Sequence, residues 1–416
     1  MVGHVGTTEL AASSFAGSVF MIGMYFGMGL TYGITPLIGK AFSKGILKDV
    51  VILLKNGIFT HFIAAIVLTS LMFGVYFILP YFGQPPEVMK EAQPFYLLLC
   101  LSYLPFMLFF SLKQFFEGLG NTKMAMQITL AANVVNVVVN YVLIFGKLGF
   151  PKLGLIGAGV GTVISRFVMV ILFAFYIRKL PRYRRYFFLA NKSVFNIDKI
   201  ITILKIGIPI GFQIIVEVIA FAIGAVMMGW LGEKELAAHQ VAIGLASFTY
   251  MISLGISQAN TIRVSHQMGL KDYRSLRMAS AASTHLVLMF MLTMGIVFIL
   301  ARSYLPLLFT VDTSVINIAA GLLIVAAVFQ VFDGLQVVML STLRGIADVK
   351  KPMYIAVFAY LFIGIPTSYI LSFVFSVGPQ GIWVGYLAGL GSAGILFFFR
   401  FRYVFQKMTK KGLSLN

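Results

Sequence analysis

Charge is scarce in this sequence, and negative charge most of all. Only 11% of its 416 residues are Asp, Glu, Lys or Arg, and 13 of them are acidic. A soluble domain of this size carries about a quarter charged residues, so a water-facing surface cannot be built from this composition. A single cysteine, Cys100, excludes an internal disulfide and any Cys-based metal cluster. It lies in an apolar stretch and reads as packing. No basic n-region precedes the first apolar run, where Met1 is followed by Gly3, His4 and Gly6, so no cleavable signal is expected. The period-2 alternation of a membrane barrel is also missing.

What remains is 60% hydrophobic, with a mean hydropathy of +0.95. Apolar runs of about 20 residues or more recur from end to end, the length a helix needs to cross a bilayer. Backbone groups left unpaired in hydrocarbon are too costly for any other open structure, so the runs are expected to be helices. Eleven are read: 10–34, 47–79, 87–117, 122–146, 157–180, 199–229, 235–266, 272–306, 313–343, 350–376 and 380–406. Gln84-Pro85-Pro86, Gly149-Phe150-Pro151, Gly229 to Gly232 and Gly378-Pro379 mark breaks between them. Pro36, Pro105, Pro209 and Pro366 are expected to kink helices. The fold class is an all-α polytopic membrane protein.

The formal net charge of +19 suggests nucleic acid until the charges are placed. The connections between helices alternate between basic-rich and basic-poor, and the rich set, including Lys44, Arg184, Arg274, Arg344, Lys350 and Lys410, holds 26 of the 32 basic residues. The positive-inside rule puts that set in the cytosol, with the C-terminus inside and Met1 outside. Juxtamembrane charge of this kind attracts anionic lipid, so membrane lipid is an expected partner and nucleic acid is not. The expected location is the inner cell membrane, with the chain a monomer.

The chain repeats itself. Residues 3–12, G-H-V-G-T-T-E-L-A-A, match 229–238, G-W-L-G-E-K-E-L-A-A. Gly29 then matches Gly255, and 113–123 match 340–350 through Gly118/Gly345 and Lys123/Lys350. Gly154, Gly157 and Gly161 match Gly378, Gly381 and Gly385. Four blocks in one order at nearly one offset indicate duplication. The first read helix pairs with the seventh and the fifth with the eleventh, while 199–229 has no partner. The expectation is a twelve-helix architecture of two parallel halves lacking its first helix, as a truncated gene model, a fragment or a genuine variant. The lobes are placed at 1–180 (five spans) and 199–416 (six spans), joined by a basic cytosolic linker, 181–198. Parallel repeats around a midplane site are transporter architecture.

Two acidic residues fall inside hydrophobic helices, Glu217 and Asp333. A carboxylate there costs at least about 2.5–3.5 kcal/mol and usually marks an ion or proton path. Gln213 lies one turn before Glu217, and Gln330 and Gln336 flank Asp333 at three-residue spacing, so each acid heads a polar stripe. Two such stripes facing each other would make a wet pocket able to take a proton or Na⁺, or to balance a cationic substrate. The bland alternative is hydrogen-bonded glue between helices. Asn133, Asn136 and Asn140 share a face in the first half and either line a polar cavity or bond neighbouring helices. Arg166 is expected to be paired or to snorkel. His61, His239, His266 and His285 have no metal-like spacing. No G-x-S-x-G, H-E-x-x-H or paired-Glu signature is present, so an intramembrane enzyme is not expected.

The duplicated G-x-x-G-x-x-E-L-A-A, the E-G-L-G-N-T-K block at 117–123, and G-I-P-I-G-F-Q-I-I-V-E-V (207–218) with F-D-G-L-Q-V-V-M-L-S-T-L-R-G (332–345) resemble the multidrug and toxic compound extrusion (MATE) transporters, in their bacterial NorM-type branch. The resemblance covers essentially the whole chain. It implies a two-lobed, twelve-helix exporter with a V-shaped central cavity that expels small amphipathic, cationic compounds in exchange for Na⁺ or H⁺, with no other cofactor. Glu217 matches the family's membrane glutamate, Asp333 its cation-site aspartate (a possible Na⁺ ligand pair), and Asn136 and Asn140 its N-lobe cavity asparagines. The departure is the first helix, which in the family usually carries a further acid. A lipid-linked oligosaccharide flippase of the same superfamily is the alternative. Such a protein would line its cavity with several basic residues, and only Arg166 lies mid-membrane here.

Overall fold

A computed structural model describes Gly3 and residues 5–413, with side chains as far as Lys410. His4 of the first repeated block and the side chain of Lys411 lie outside the described residues. Among the described residues there is helix and no strand. Eleven helices are long and apolar enough to cross a membrane: α1 Thr7–Ser43, α2 Leu47–Tyr76, α3 Pro86–Gly118, α4 Thr122–Phe145, α5 Gly154–Lys179, α7 Ile197–Leu231, α8 Glu233–Leu270, α9 Tyr273–Leu300, α10 Thr313–Gly345, α11 Lys350–Val374 and α12 Pro379–Lys410. Each falls on a helix expected from sequence. The twelfth, α6 Pro181–Lys192, is short.

Loop residues stop and start the spans. Asn121 Oδ1 accepts from Met124 N (3.3 Å), Asp272 Oδ1 from Ser275 N (2.9 Å) and Asp312 Oδ1 from Ser314 N (2.8 Å), each capping a helix that follows. Proline bends three spans, because it withholds the N–H that would close a bond four residues back. The helix of α1 breaks at Gly33 before Pro36, that of α3 at Ser102 before Pro105, and α11 widens to a π-helix over Phe358–Gly364 before Pro366. Pro209 differs from expectation, since α7 runs through it without a break.

The chain forms two compact units, Met1–Gly211 and Phe212–Asn416. The boundary falls inside α7 rather than in a linker at 181–198, and residues 199–211 belong with the first unit. Small residues explain this. The backbones of Gly29 and Gly33 in α1 approach those of Gly211 and Gly207 so closely that a Cβ on Gly29 would sit 2.6 Å from Gly211 Cα. The 181–198 segment is not an open linker either. Tyr183, Tyr186, Phe187 and Leu189 put one face of α6 onto a core built from Val50, Leu54, Phe115, Phe116 and Phe173. Arg182, Arg184 and Arg185 are left exposed.

The duplication is written into the packing. In the first unit Gly118 lies against Ile38 and the Thr35 carbonyl, and in the second Gly345 lies against Val264 and the Thr261 carbonyl. Thr35 Oγ1 donates to Gln114 O (3.2 Å), as Thr261 Oγ1 donates to Ser341 O (3.1 Å). Gly157 and Gly161 meet Leu143 and Asn140, while Gly381 and Gly385 meet Leu371 and Ser368. The matched glycines let helices approach to backbone contact, which is how apolar spans associate without a hydrophobic driving force. Large apolar side chains such as Leu71, Leu130 and Leu300 point outward from the spans, as lipid requires.

Candidate functional site

The second unit gathers the two intramembrane carboxylates. Helix α7 presents Gln213 and Glu217 one turn apart, and α10 presents Gln330, Asp333 and Gln336. Asp333 is 6% exposed and the three glutamines are 1% or less, whereas Glu217 is half-buried. Glu217 and Asp333 lie within electrostatic reach of each other, so the two stripes face one site. The outer members turn to neighbouring helices. Gln330 Oε1 accepts from Thr249 Oγ1 of α8 (3.1 Å), and Gln336 Nε2 donates to the Tyr360 hydroxyl of α11 (2.8 Å).

Arg344 and Tyr360 complete the site, and sequence reasoning missed both. Arg344, in the last turn of α10, counted as one of the basic loop charges. Its guanidinium instead reaches α7, where Nη2 donates to Gln213 Oε1 (3.2 Å) and acts on Glu217. A signal was present. Asp333 and Arg344 are eleven residues apart, about three helical turns, and so share a face. Tyr360 sits in the π segment, where its hydroxyl senses Glu217, Asp333 and Arg344 together. One tyrosine among many aromatic residues carried no comparable signal.

The chemistry of this cluster is that of oxygen. It offers two carboxylates, a phenol oxygen and the buried Gln336 Oε1, which has no hydrogen-bond partner. With both acids ionised against one guanidinium, the three charged side chains carry one negative charge in excess. Unbalanced charge in a low-dielectric interior is expensive, so the cluster is suited to a single monovalent cation or a proton. Among the described residues no three His, Cys, Asp or Glu side chains converge, and the donor set fits a hard, weakly held cation rather than a transition metal.

The first unit places its polar residues differently. Asn133 is exposed. Asn136 Nδ2 donates to Ser165 Oγ of α5 (3.2 Å), tying α4 to α5, and Asn140 Nδ2 donates to Asn136 Oδ1 one turn back on α4 (3.1 Å). Asn140 Oδ1 is buried without a partner against Gly161. Arg166 does not pair with an acid among the described residues. It donates to Ser102 Oγ (2.6 Å) and lies between the rings of Phe20 and Phe106, 5.2 and 4.7 Å from their centroids. Cation–π contact of this kind holds a guanidinium in apolar surroundings. His61 meets Ser111 Oγ (2.8 Å), and His239 packs on Trp383.

Comparison with known proteins identifies the family and the fold. The MatE family model matches residues 1–142 and 209–370. The chain is 31% identical over 408 residues to the probable multidrug resistance protein NorM of Brucella suis, spanning 96% of this chain and 87% of that one. It is 29% identical to the multidrug resistance protein NorM of Vibrio vulnificus, spanning 98% and 90%. Among solved structures, a eukaryotic MATE transporter, AtDTX14, superposes with a TM-score of 0.87 at 22% identity, covering 99% of this chain and 91% of that one. A MATE crystallised with the ligand MaD3S gives 0.90 at 20% identity, covering 98% and 90%.

Proposed function

This chain belongs to the MatE family, and from that membership we propose that it is a multidrug exporter that drives organic cations out of the cell in exchange for Na⁺ or H⁺, with Glu217 and Asp333 as the coupling groups. It is a carrier and not an enzyme. The observation that carries the coupling assignment is the charge at the second unit, where two carboxylates oppose one guanidinium. One cation or one proton restores neutrality, and so does one positively charged substrate. Two ligands that compensate the same charge exclude each other, and mutual exclusion combined with alternating access gives antiport. Gln213, Gln330 and Gln336 line the pocket on the same helix faces as the acids, and Asn136 and Asn140 supply polarity in the first lobe.

The placement of basic residues supports an orientation in the inner membrane with the C-terminus in the cytosol. In that orientation Na⁺ or H⁺ arrives from outside, binds at the acids, and promotes substrate release. Loss of the cation to the cytosol resets the carrier. The test is Asp333→Asn in everted vesicles. Ethidium transport is expected to disappear while the protein remains in the membrane, and transport at the unsubstituted rate would remove Asp333 from the mechanism.

A further inference from the structure

The second unit carries a groove that the transport reading does not use. It opens between the first two turns of α9 and the far end of α12, with a volume of about 480 Å³, and is lined by Tyr273, Arg274, Arg277, Met278, Ala281 and Phe405. Positions 274, 277, 278 and 281 share one helical face. That face changes character with depth. It begins with two exposed guanidiniums at the span end and becomes apolar at Met278 and Ala281, about 6 and about 10 Å beyond Arg274 along the helix axis. Neither arginine makes an ion pair within 4 Å among the described residues. The adjacent acid, Asp272, is engaged in capping, accepting from Ser275 N at 2.9 Å.

From this we propose that the groove is a binding site for an anionic phospholipid. The phosphate lies between Arg274 and Arg277, and an acyl chain runs over Met278, Ala281 and Phe405. Charge complementarity and position both select this occupant. The groove lies at the ends of two membrane spans, where headgroups are, and its polar-to-apolar order is that of a lipid entering the bilayer. The internal repeat adds a second argument. The duplication pairs α2 with α9 and α5 with α12. In the first unit that edge is covered by α6, whose Tyr183, Tyr186, Phe187 and Leu189 pack on a core that includes Val50 and Leu54 of α2 and Phe173 and Ile177 of α5. In the second unit the matching edge holds the groove, so lipid takes the place that protein fills in its repeat mate.

Native mass spectrometry of the purified full chain, titrated with phosphatidylglycerol or with phosphatidylethanolamine of the same acyl chains, tests this. Arg274→Gln with Arg277→Gln is expected to weaken phosphatidylglycerol binding about tenfold or more, and Arg184→Gln with Arg185→Gln, an equal loss of charge on α6, by less than about threefold. Ala281→Trp, which fills the apolar floor and leaves both arginines, is expected to weaken it too. Equal losses in the two double variants would reduce the site to general juxtamembrane attraction and overturn the proposal. So would equal binding of phosphatidylethanolamine, displacement of the lipid by inorganic phosphate, retention of binding in Ala281→Trp, or dimers that disappear with Arg274→Gln and Arg277→Gln in place of a lipid adduct.

Discussion

Replacing Arg344 with Gln probes the charge argument from an unusual side, because the account predicts tighter cation binding from the loss of a residue. Arg344 Nη2 lies 3.2 Å from Gln213 Oε1, and Gln213 precedes Glu217 by one turn, about 6 Å along α7. A guanidinium about 6 Å from the bound cation opposes it by roughly 2.8 kcal/mol at an effective dielectric constant of about 20. Removing that opposition corresponds to about a hundredfold tighter binding. The neutral amide of Gln leaves two negative charges at the site instead of one, so a second monovalent cation becomes bindable and release slows. Isothermal titration of the purified protein with Na⁺, repeated as proton uptake in Na⁺-free buffer, reads the affinity, and proteoliposome flux reads the turnover. Expected are higher affinity for the coupling ion, lower turnover, and near-normal values for Arg344→Lys, which keeps the charge. Unchanged or weaker cation binding in a folded Arg344→Gln protein would refute the reasoning.

Tyr360→Phe strips Gln336 Nε2 of its 2.8 Å partner and leaves a buried amide unsatisfied, for an expected loss of about 1–3 kcal/mol read as a lower thermal midpoint in detergent; an unchanged midpoint would contradict it. Gly385→Ala would place a Cβ 2.4 Å from Ser368 N, whereas Gly255 has open space around it. The first substitution should therefore destabilise by about 1–3 kcal/mol and the second should be neutral or stabilising by up to about 1 kcal/mol, and a denaturant series that reversed this order would disprove the close approach of α11 and α12. Asp312 accepts backbone N–H bonds from Ser314 and Val315, which hold its carboxyl below the usual carboxylate range. Its cap is therefore complete above a pH of about 4 and is lost as the pH falls through the depressed folded value. Asp312→Asn keeps an acceptor and is expected to reduce the acid sensitivity of a melting series run from about pH 6 to about pH 3; the same sensitivity in both proteins would argue against the cap.

The spans were readable because lipid imposes a simple rule: twenty apolar residues in a row have one stable form. The duplication was readable through glycines, and the structure shows why those positions persist, since Gly118 and Gly345 bring helices to equivalent carbonyls at Thr35 and Thr261. Glu217 and Asp333 announced themselves through the cost of their burial. Arg344 did not, because a charge in the last turn of a span looks like an ordinary boundary residue until its long side chain is seen reaching Gln213 on α7. The α6 segment was hidden by its own basic residues, which read as a solvated linker, although Tyr183, Tyr186, Phe187 and Ala190 follow helical spacing. The two asparagines of α4 show the opposite limit. Their spacing gave a shared face, but only the structure shows Asn136 bonded to Ser165 and Asn140 bonded to Asn136.

The most direct measurement is substrate-driven ion movement in proteoliposomes containing the Asp333→Asn protein, with ethidium on one side and an imposed Na⁺ or pH gradient on the other. Loss of both ethidium flux and its dependence on the gradient, in protein that is correctly inserted, is the result this account requires. Gradient-driven flux equal to that of the unsubstituted protein would contradict it.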